Sequence, residues 1–234
     1  MFSRAHCTPL SSLRRTLSSG CAAEDTIETP RGGHRGRMTT QIKNANPKTR
    51  SADATDLLEA VMFAADRHRN QRRKDVEASP YINHPIALAH LLATTGGVTD
   101  LDVLRAAILH DTIEDTETTE AELRSRFGGI VASIVMEVTD DKTLPKQRRK
   151  ELQIEHAPHI SNGAALVKLA DKTCNLRDVA NAPPVGWPLA RRQEYFEWAK
   201  RVVDRLPPVN DPLLRAFADA YAGKPDDEES RRRT

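Results

Sequence analysis

Residues 101–116, LDVLRAAILHDTIEDT, determine how this chain of 234 residues is interpreted. The first half has a helical apolar period, and two apolar rows run at helical spacing into His110 and Asp111. One row is Val103, Ala107 and His110, and the other is Leu104, Ile108 and Asp111. This pattern predicts a helix over 101–111 whose last two side chains lie on its buried face. A buried charge is costly unless it is paired or bound to a metal, so both groups need partners.

The same helical period continues through the chain from about residue 55, and no convincing strand period appears. Thr119 with Glu122 forms a capping box, and Gly128 ends the segment that follows. Helices are predicted over 55–69, 85–95, 101–111, 120–127, 130–139, 145–156, 162–180, 188–206 and 212–222. The inward face of the first is predicted from Leu57, Leu58, Val61, Met62 and Ala65. The fold class is therefore all-α, as a single helical bundle.

Two terminal segments differ in composition from this bundle. Residues 1–49 are rich in Arg, Ser and Thr without a sustained apolar period, and 224–234 are charged, so both are predicted to be disordered around a domain at 50–223. The first 23 residues contain arginines and no acid, which is compatible with a mitochondrial transit peptide. The preferred alternative is a leader without function, with a start at Met38.

Charge, hydropathy and cysteine content exclude several classes of protein. Lys and Arg total 35 and Asp and Glu total 33, so no broad basic surface indicates a nucleic-acid partner. No apolar run approaches the roughly 20 residues of a membrane-spanning helix. The three cysteines match neither a disulfide framework nor a zinc site. We interpret them as free thiols in a reducing compartment, which favours the cytoplasm, with the mitochondrial matrix as the alternative. The oligomeric state, including a homo-oligomer, stays open.

Besides His110 and Asp111, two other ionisable residues stand out in the sequence. His84 precedes Pro85 at a predicted helix start, and Asp171 lies in the apolar run AALVKLAD. Two imidazoles and two carboxylates make the mixed donor set that suits a divalent ion such as Mn, Fe, Co or Zn. The alternative is that the HD pair caps a helix end and that the other two residues are ordinary surface or core groups. His68, His90, His156 and His159 fit no ligand spacing and are interpreted as surface or core residues.

Five motifs in order resemble a known family. INHP, ILHDTIEDT and LVKLADKTCNLRD resemble the HD-domain metal phosphohydrolases. Together with RRKDVEASPYINHP, VTDDKTLPKQRRK and QEYFEWA, they are similar to the small stand-alone ppGpp hydrolases, the metazoan SpoT homologues. The resemblance covers about residues 50–215.

This resemblance implies an HD-domain helical fold with one Mn²⁺ held by His84, His110, Asp111 and Asp171. It implies that Glu114 and Asp115 act on the attacking water, and that eight further residues face or surround a nucleotide. These are Arg73, Lys74, Tyr81, Lys146, Lys168, Asn175, Arg191 and Tyr195. The implied reaction removes the 3′-diphosphate of guanosine 3′,5′-bis(diphosphate), ppGpp, as pyrophosphate and leaves GDP.

The sequence departs from the family pattern at three places. Ala78 stands where a glycine is usual, Ala165 where a lysine is common, and Thr173 with Cys174 replace bulkier residues. None of these positions is a proposed ligand, so they bear on substrate affinity more than on chemistry. Two other functions stay open at this point: an HD-domain phosphatase for another phosphorylated nucleotide such as NADPH, and a catalytically silent module that binds nucleotide.

Overall fold

The computed structural model describes residues 47–226, and within these residues ten α-helices and one 3₁₀ turn form the fold. The helices are α1 (Pro47–Arg67), α2 (Asn83–Thr94), α3 (Leu101–Leu109), α4 (Thr112–Asp115), α5 (Glu120–Phe127), α6 (Gly129–Val138), α7 (Lys146–His156), α8 (Asn162–Asn181), α9 (Leu189–Val203) and α10 (Asp211–Ala222). The 3₁₀ turn is Ala157–His159. No β-strand occurs in 47–226, and one isolated bridge joins Arg72 to Pro80. The predicted all-α class is confirmed.

Several predicted boundaries differ from the observed ones. The first helix begins at Pro47, within the segment predicted to be disordered, and α3 ends at Leu109, two residues before its predicted end. The short helix α4 and the 3₁₀ turn were not predicted. The rest of the N-terminal extension and most of the charged tail lie outside the described residues, so their predicted disorder stays a prediction.

Side-chain caps fix where the central helices begin. Asp100 accepts hydrogen bonds from the backbone N–H groups of Asp102 (2.9 Å) and Val103 (3.4 Å) at the start of α3. Thr119 caps α5 as the sequence predicts, by accepting from Glu122 N. Ser161 caps α8 in the same way through Ala164 N. These caps set the starting points of α3, α5 and α8.

The core surrounds α3, which packs against α1, α2 and α6, while α8 packs against α2 and α10. Ala106, Ala107 and Leu109 of α3 are fully buried. Such small and medium side chains allow neighbouring helices to approach closely. Two central helices therefore lead into the predicted site, because α3 ends directly before His110 and α8 carries Lys168, Asp171 and Asn175.

The inward face of α1 differs from the predicted one. Leu58 and Met62 are 62% and 73% exposed, whereas Ala60, Phe63 and Ala64 are buried. The ring of Phe63 meets that of Phe127 on α5 edge to face, with centroids 5.3 Å apart. This contact rotates α1 so that the row predicted to face inward points partly outward.

The long loop between α1 and α2 is ordered by backbone hydrogen bonds. Arg73 N donates to Ser79 O (2.8 Å) and Tyr81 N donates to Gln71 O (3.2 Å). Between them Ala78 adopts φ 49°, in the left-handed region that favours glycine. This conformation gives a physical reason for the glycine that is usual at this position.

Within the described part of the chain, no helix is both long and apolar enough to cross a membrane.

Candidate metal and active site

The four predicted metal ligands come from three parts of the fold and lie close together. His84 is in the first turn of α2, His110 and Asp111 join α3 to α4, and Asp171 is on α8. Ligand atoms of His84, His110 and Asp111 all lie within 4.8 Å of one another. Asp171 adjoins them, with Oδ1 3.2 Å from His84 Nε2 and 3.9 Å from His110 Nε2. Three of the four predicted ligands thus form a close group, and the fourth borders it.

The imidazole of His110 shows that the group is suited to a cation. Its Nδ1–H donates to Ala107 O at 2.9 Å, so in the neutral ring Nε2 carries the lone pair. Nε2 is buried without a hydrogen-bond partner among the described residues, and Asp111 Oδ2 lies 2.9 Å away. A lone pair that faces carboxylate oxygens needs a positive charge between them. The donor set of two imidazoles and two carboxylates fits a divalent cation.

The electrostatics of the ligands lead to the same conclusion. Burial alone would lower the pKa of His110, but Asp111, Asp171 and the bond to Ala107 raise it to about 9. Burial alone would raise the pKa of Asp111, yet the charge of His110 holds it well below its ordinary value. Without a metal the site therefore retains a proton, and because metal ligands must be deprotonated, binding a cation would release it.

Asp171 and Asp111 are each held by neighbouring side chains. Lys172 Nζ donates to Asp171 Oδ2 (3.0 Å), and Asn175 Nδ2 donates to Asp171 Oδ1 (2.6 Å). The hydroxyl of Tyr81 donates to Asp111 Oδ2. Partners of this kind orient metal ligands and are part of a metal site's design.

Glu114 lies beside the ligand group, and its surroundings make it a suitable base. It lines the same small cavity of about 160 Å³ as His84, His110 and Asp111. Asp140 N donates to Glu114 Oε2 (3.1 Å), and Arg149 Nη1 is 3.6 Å from Oε1. Burial, and then the charge of Asp111, raise the pKa of Glu114 to about 7. A carboxyl with this pKa exchanges protons readily near neutral pH.

Asp115 occupies a different position, because it borders the two larger cavities and not the small one. Gln71 Nε2 donates to its Oδ2 (2.7 Å), and Lys142 Nζ pairs with its Oδ1. The adjacent carboxylates therefore share the 990 Å³ cavity, but only Glu114 also reaches the small cavity of the ligand group and only Asp115 also reaches the 700 Å³ cavity.

The first large cavity, of about 700 Å³, reaches His84 and is bordered by five of the predicted nucleotide-binding residues. These are Arg73, Lys74, Tyr81, Asn175 and Tyr195. Arg73 already has partners there: its Nη2 donates to Asn175 Oδ1 (3.1 Å) and to Asp178 Oδ2 (2.5 Å). Burial tends to lower the pKa of Arg73, but the charge of Asp178 outweighs it and raises the pKa.

The second large cavity, of about 990 Å³, begins at Glu114 and is rich in cations. Lys74, Lys146 and Arg191 line it, and among the described residues none of their charged groups forms an ion pair. The Arg191 guanidinium lies over the Trp187 ring, 4.3 Å from its centroid. Burial and the positive charges of Arg191, Lys150 and Lys74 lower the pKa of Lys146. Cations that line one cavity without carboxylate partners form a place for an anion.

The last predicted residue, Lys168, is buried in the small cavity. Its Nζ donates to Val138 O at 3.1 Å. Burial, and then the charge of Lys172, lower the pKa of Lys168 to about 8. All eight residues predicted to surround a nucleotide thus border one of three cavities around the ligand group.

Sequence reasoning missed several residues that shape the site, namely Gln71, Trp187 and Lys172. A sequence signal existed for Lys172, which directly follows Asp171 in the run LADK. No such signal marks Gln71, because its hydrogen bond to Asp115 joins residues 44 apart in the chain.

Comparisons with known proteins agree with this geometry. Residues 60–195 match the HD domain family. The chain is 58% identical over 163 residues to the guanosine-3′,5′-bis(diphosphate) 3′-pyrophosphohydrolase MESH1 of Xenopus tropicalis, covering 70% of this chain and 91% of that protein. The Homo sapiens protein of the same name is 58% identical over 170 residues, covering 73% and 95%.

A solved structure supports the same assignment. It is described as a metazoan ortholog of SpoT that hydrolyzes ppGpp and plays a role in starvation responses, and it superposes with a TM-score of 0.70 at 46% identity, covering 71% of this chain and 94% of that one. The chain belongs to the HD domain family and, within it, to the group that includes the MESH1 proteins.

Proposed function

We propose that this chain hydrolyses guanosine 3′,5′-bis(diphosphate) at the 3′ position, releasing pyrophosphate and leaving GDP. One observation carries the proposal: the small cavity that holds the His and Asp group shares Glu114 and Asp140 with a cation-lined cavity, in a chain 58% identical to proteins named for this reaction. The substrate is a small nucleotide with two diphosphates, and of the two large cavities one reaches His84 and the other reaches Glu114.

The metal in this proposal is one Mn²⁺ held by His84, His110, Asp111 and Asp171. The close approach of His110 Nε2 to Asp111 Oδ2, at 2.9 Å, requires a positive charge at this position and supports a cation there. A bound divalent ion supplies Lewis acidity, which polarises a phosphoryl oxygen and lowers the pKa of water.

Glu114 is the proposed proton acceptor. Asp140 N and Arg149 hold its two oxygens at the edge of the ligand group, and a carboxylate in that place can take a proton from an attacking water. Asp115 is proposed to orient that water, or a group beside it, from the other side. Burial, and then the charge of Asp111, raise the pKa of Glu114 in the metal-free site; a bound cation would offset the charge of Asp111 and so would favour the ionised form that accepts a proton.

The remaining residues are proposed to hold the nucleotide. Lys74, Lys146 and Arg191 offer positive charge to phosphate oxygens, and Arg has the fork geometry for two of them. Arg73, Tyr81, Asn175 and Tyr195 border the other cavity, and Lys168 reaches the small one. This division gives a substrate with charges at both ends a surface on each side of the reacting phosphate.

A product assay tests the function. The purified protein is incubated with ppGpp or with NADPH, each with Mn²⁺, Mg²⁺, Co²⁺ or Zn²⁺, and the products are separated by ion exchange. We expect pyrophosphate and GDP from ppGpp, fastest with Mn²⁺. Release of phosphate from NADPH without attack on ppGpp would establish the other phosphatase instead. Nucleotide binding without turnover under every metal would indicate a silent binding module.

The cytoplasmic location and the mitochondrial alternative stay predictions.

A further inference from the structure

A chain of hydrogen bonds leads from a buried histidine to Asp115. His68, which directly follows α1, is 2% exposed, and its Nδ1 lies 2.6 Å from Gln71 Oε1. Gln71 Nε2 in turn donates to Asp115 Oδ2 at 2.7 Å. His68 was predicted to be a surface or core residue, and it is in the core, but it also connects to the site.

The donors and acceptors of these three side chains allow only one arrangement of the two hydrogen bonds. The carboxylate of Asp115 only accepts hydrogen bonds, so the NH₂ of the Gln71 amide must face it. The amide oxygen then faces His68, which must carry its proton on Nδ1. Reversing the amide would set oxygen against oxygen at Asp115. Asp115 therefore fixes which way the Gln71 amide is turned, and an Nδ1–H on His68 stabilises the amide in that orientation.

His68 and Gln71 also contact Tyr81, whose hydroxyl binds one of the proposed metal ligands. The ring of His68 packs on that of Tyr81, with centroids 4.9 Å apart, and Tyr81 N donates to Gln71 O. The Tyr81 hydroxyl donates to Asp111. His68 thus has two separable contacts: its ring packs on Tyr81, and its N–H orients Gln71.

We propose that Gln71 and His68 are positioning residues that hold the Asp115 carboxylate toward the reaction site, a role that rests on the function proposed above for Asp115. Without the Gln71 amide, the Lys142 ammonium would be the one remaining side-chain partner of the Asp115 carboxylate among the described residues, and Lys142 is about half exposed. The carboxylate would then turn toward Lys142. Outer partners of this kind are typically worth about 10- to 100-fold in activity.

Gln71→Met tests the amide, because methionine has similar length and no hydrogen-bonding group. We expect kcat for ppGpp to fall about 10-fold while KM changes little. His68→Phe keeps a ring against Tyr81 and removes the N–H, and we expect a loss in kcat in the same direction. Gln193→Met is the matched control, since Gln193 is a half-buried glutamine whose Nε2 donates to Pro225 O away from the site, and its kcat should not change.

A double-mutant cycle separates positioning from direct substrate contact, which Gln71 could make because it borders the 700 Å³ cavity. In an Asp115→Asn background, Gln71→Met should cause no further loss in kcat. An additive loss, or a change confined to KM, would overturn the proposal. If Asp115→Asn alone kept full kcat, the role assigned to Asp115 would be wrong, and the positioning role would be lost with it.

A readout without turnover keeps this result distinct from failure of the hydrolase proposal. In protein labelled with ¹⁵N-histidine, the His68 ring should give the Nδ1–H tautomer in NMR spectra, and Gln71→Met should shift that signal. Detection of the Nε2–H tautomer in the wild-type protein would refute the hydrogen-bond chain whatever the enzyme hydrolyses.

Discussion

Asp111 and Glu114 are three residues apart, yet their surroundings give them different chemistry. The pKa of Asp111 is held low by His110, as suits a permanent ligand, while burial and the charge of Asp111 raise the pKa of Glu114 to about 7. Asp111→Ala should therefore abolish both Mn²⁺ binding and hydrolysis. Glu114→Gln should keep the metal and lower kcat by about 10²- to 10⁴-fold, the usual range for a lost general base. Calorimetric titration with Mn²⁺ and steady-state kinetics measure the two effects.

Each of these two variants serves as the control for the other, because both remove a half-buried carboxylate from the same short segment. Full turnover by Glu114→Gln would show that the proton acceptor lies elsewhere. Tight Mn²⁺ binding by Asp111→Ala would remove Asp111 from the ligand set.

Lys146 carries a prediction about affinity. It faces the 990 Å³ cavity and, among the described residues, forms no ion pair that a substrate phosphate would have to displace. Lys146→Ala should raise KM about 10-fold or more, the value of one charged hydrogen bond, with a smaller effect on kcat. Because charge attraction is screened by salt, the difference from wild type should shrink as ionic strength rises.

Lys200→Ala is the control for this prediction. Lys200 is on α9, whereas Lys146 is on α7. Lys200 pairs with Asp204 at 2.6 Å and lines none of the three cavities. Its loss should leave KM unchanged. Equal KM values for Lys146→Ala and wild type would assign the phosphate contact to other residues.

Three of the four proposed metal ligands stand out in the sequence because they interrupt an apolar pattern. His110 and Asp111 end two apolar rows, and Asp171 interrupts AALVKLAD. The roles of Gln71 and Lys142 were not predictable, since hydrogen bonds to Asp115 come from 44 and 27 residues away. Such contacts depend on how helices pack, and a local period contains no information about that.

At the scale of helices, the break after Leu109 explains how the HD pair reaches the site. His110 keeps helical dihedrals, but Asp111 has φ −101° and ψ 0° and precedes a new short helix, α4. Thr112 Oγ1 donates to Leu109 O across the break at 2.7 Å. The sequence predicted one helix to residue 111. Its apolar period does not distinguish a polar residue within a helix from one directly after the helix ends.

The start of α10 offers a prediction about helix packing. Asn210 Oδ1 accepts from Leu213 N (3.0 Å) as an N-cap, and Asn210 Nδ2 donates to Gly96 O (2.8 Å) just beyond α2. Asn210→Ala removes both bonds and should lower the free energy of unfolding by about 1–2 kcal/mol. Urea denaturation measures this loss.

Asn162→Ala is the matched comparison, because Asn162 is an exposed asparagine at the start of α8 and does not act as its cap. Its stability should stay within about 0.5 kcal/mol of wild type. Hydrolysis by Asn210→Ala should be unchanged below its melting temperature. A stability equal to wild type would show that the bond to Gly96 contributes nothing.

Across the whole molecule, the bundle places charged groups in its interior and leaves them incompletely compensated. Without a metal, His110 and Glu114 both bind protons more tightly in the folded protein than in the unfolded chain. The all-α fold follows from composition and period, whereas this interior charge follows from the meeting of α2, α3 and α8. Stability of the whole protein should therefore depend on both metal and pH.

We predict that the metal-free protein becomes less stable as pH rises from 5 to 8. The pKa of Glu114 is about 7 against an ordinary value of 4.5, and that of His110 is about 9 against 6.5. In that range the folded protein holds protons that the unfolded chain has released, so their stabilisation is lost as pH rises. The melting temperature in EDTA should fall by at least about 3 °C, the shift that 1 kcal/mol produces in a domain of this size.

Two comparisons assign the effect to these groups. Glu114→Gln removes a titrating group, so the plot of melting temperature against pH should be flatter between pH 5 and 7. Glu59→Gln, at an exposed position of α1, should keep the wild-type slope of that plot. Adding Mn²⁺ should raise the melting temperature more at pH 8 than at pH 5, since fewer protons must be displaced from the ligands at higher pH. A melting temperature in EDTA that rises between pH 5 and 8 would contradict the proton count, because it would require the unfolded chain to bind more protons than the folded one.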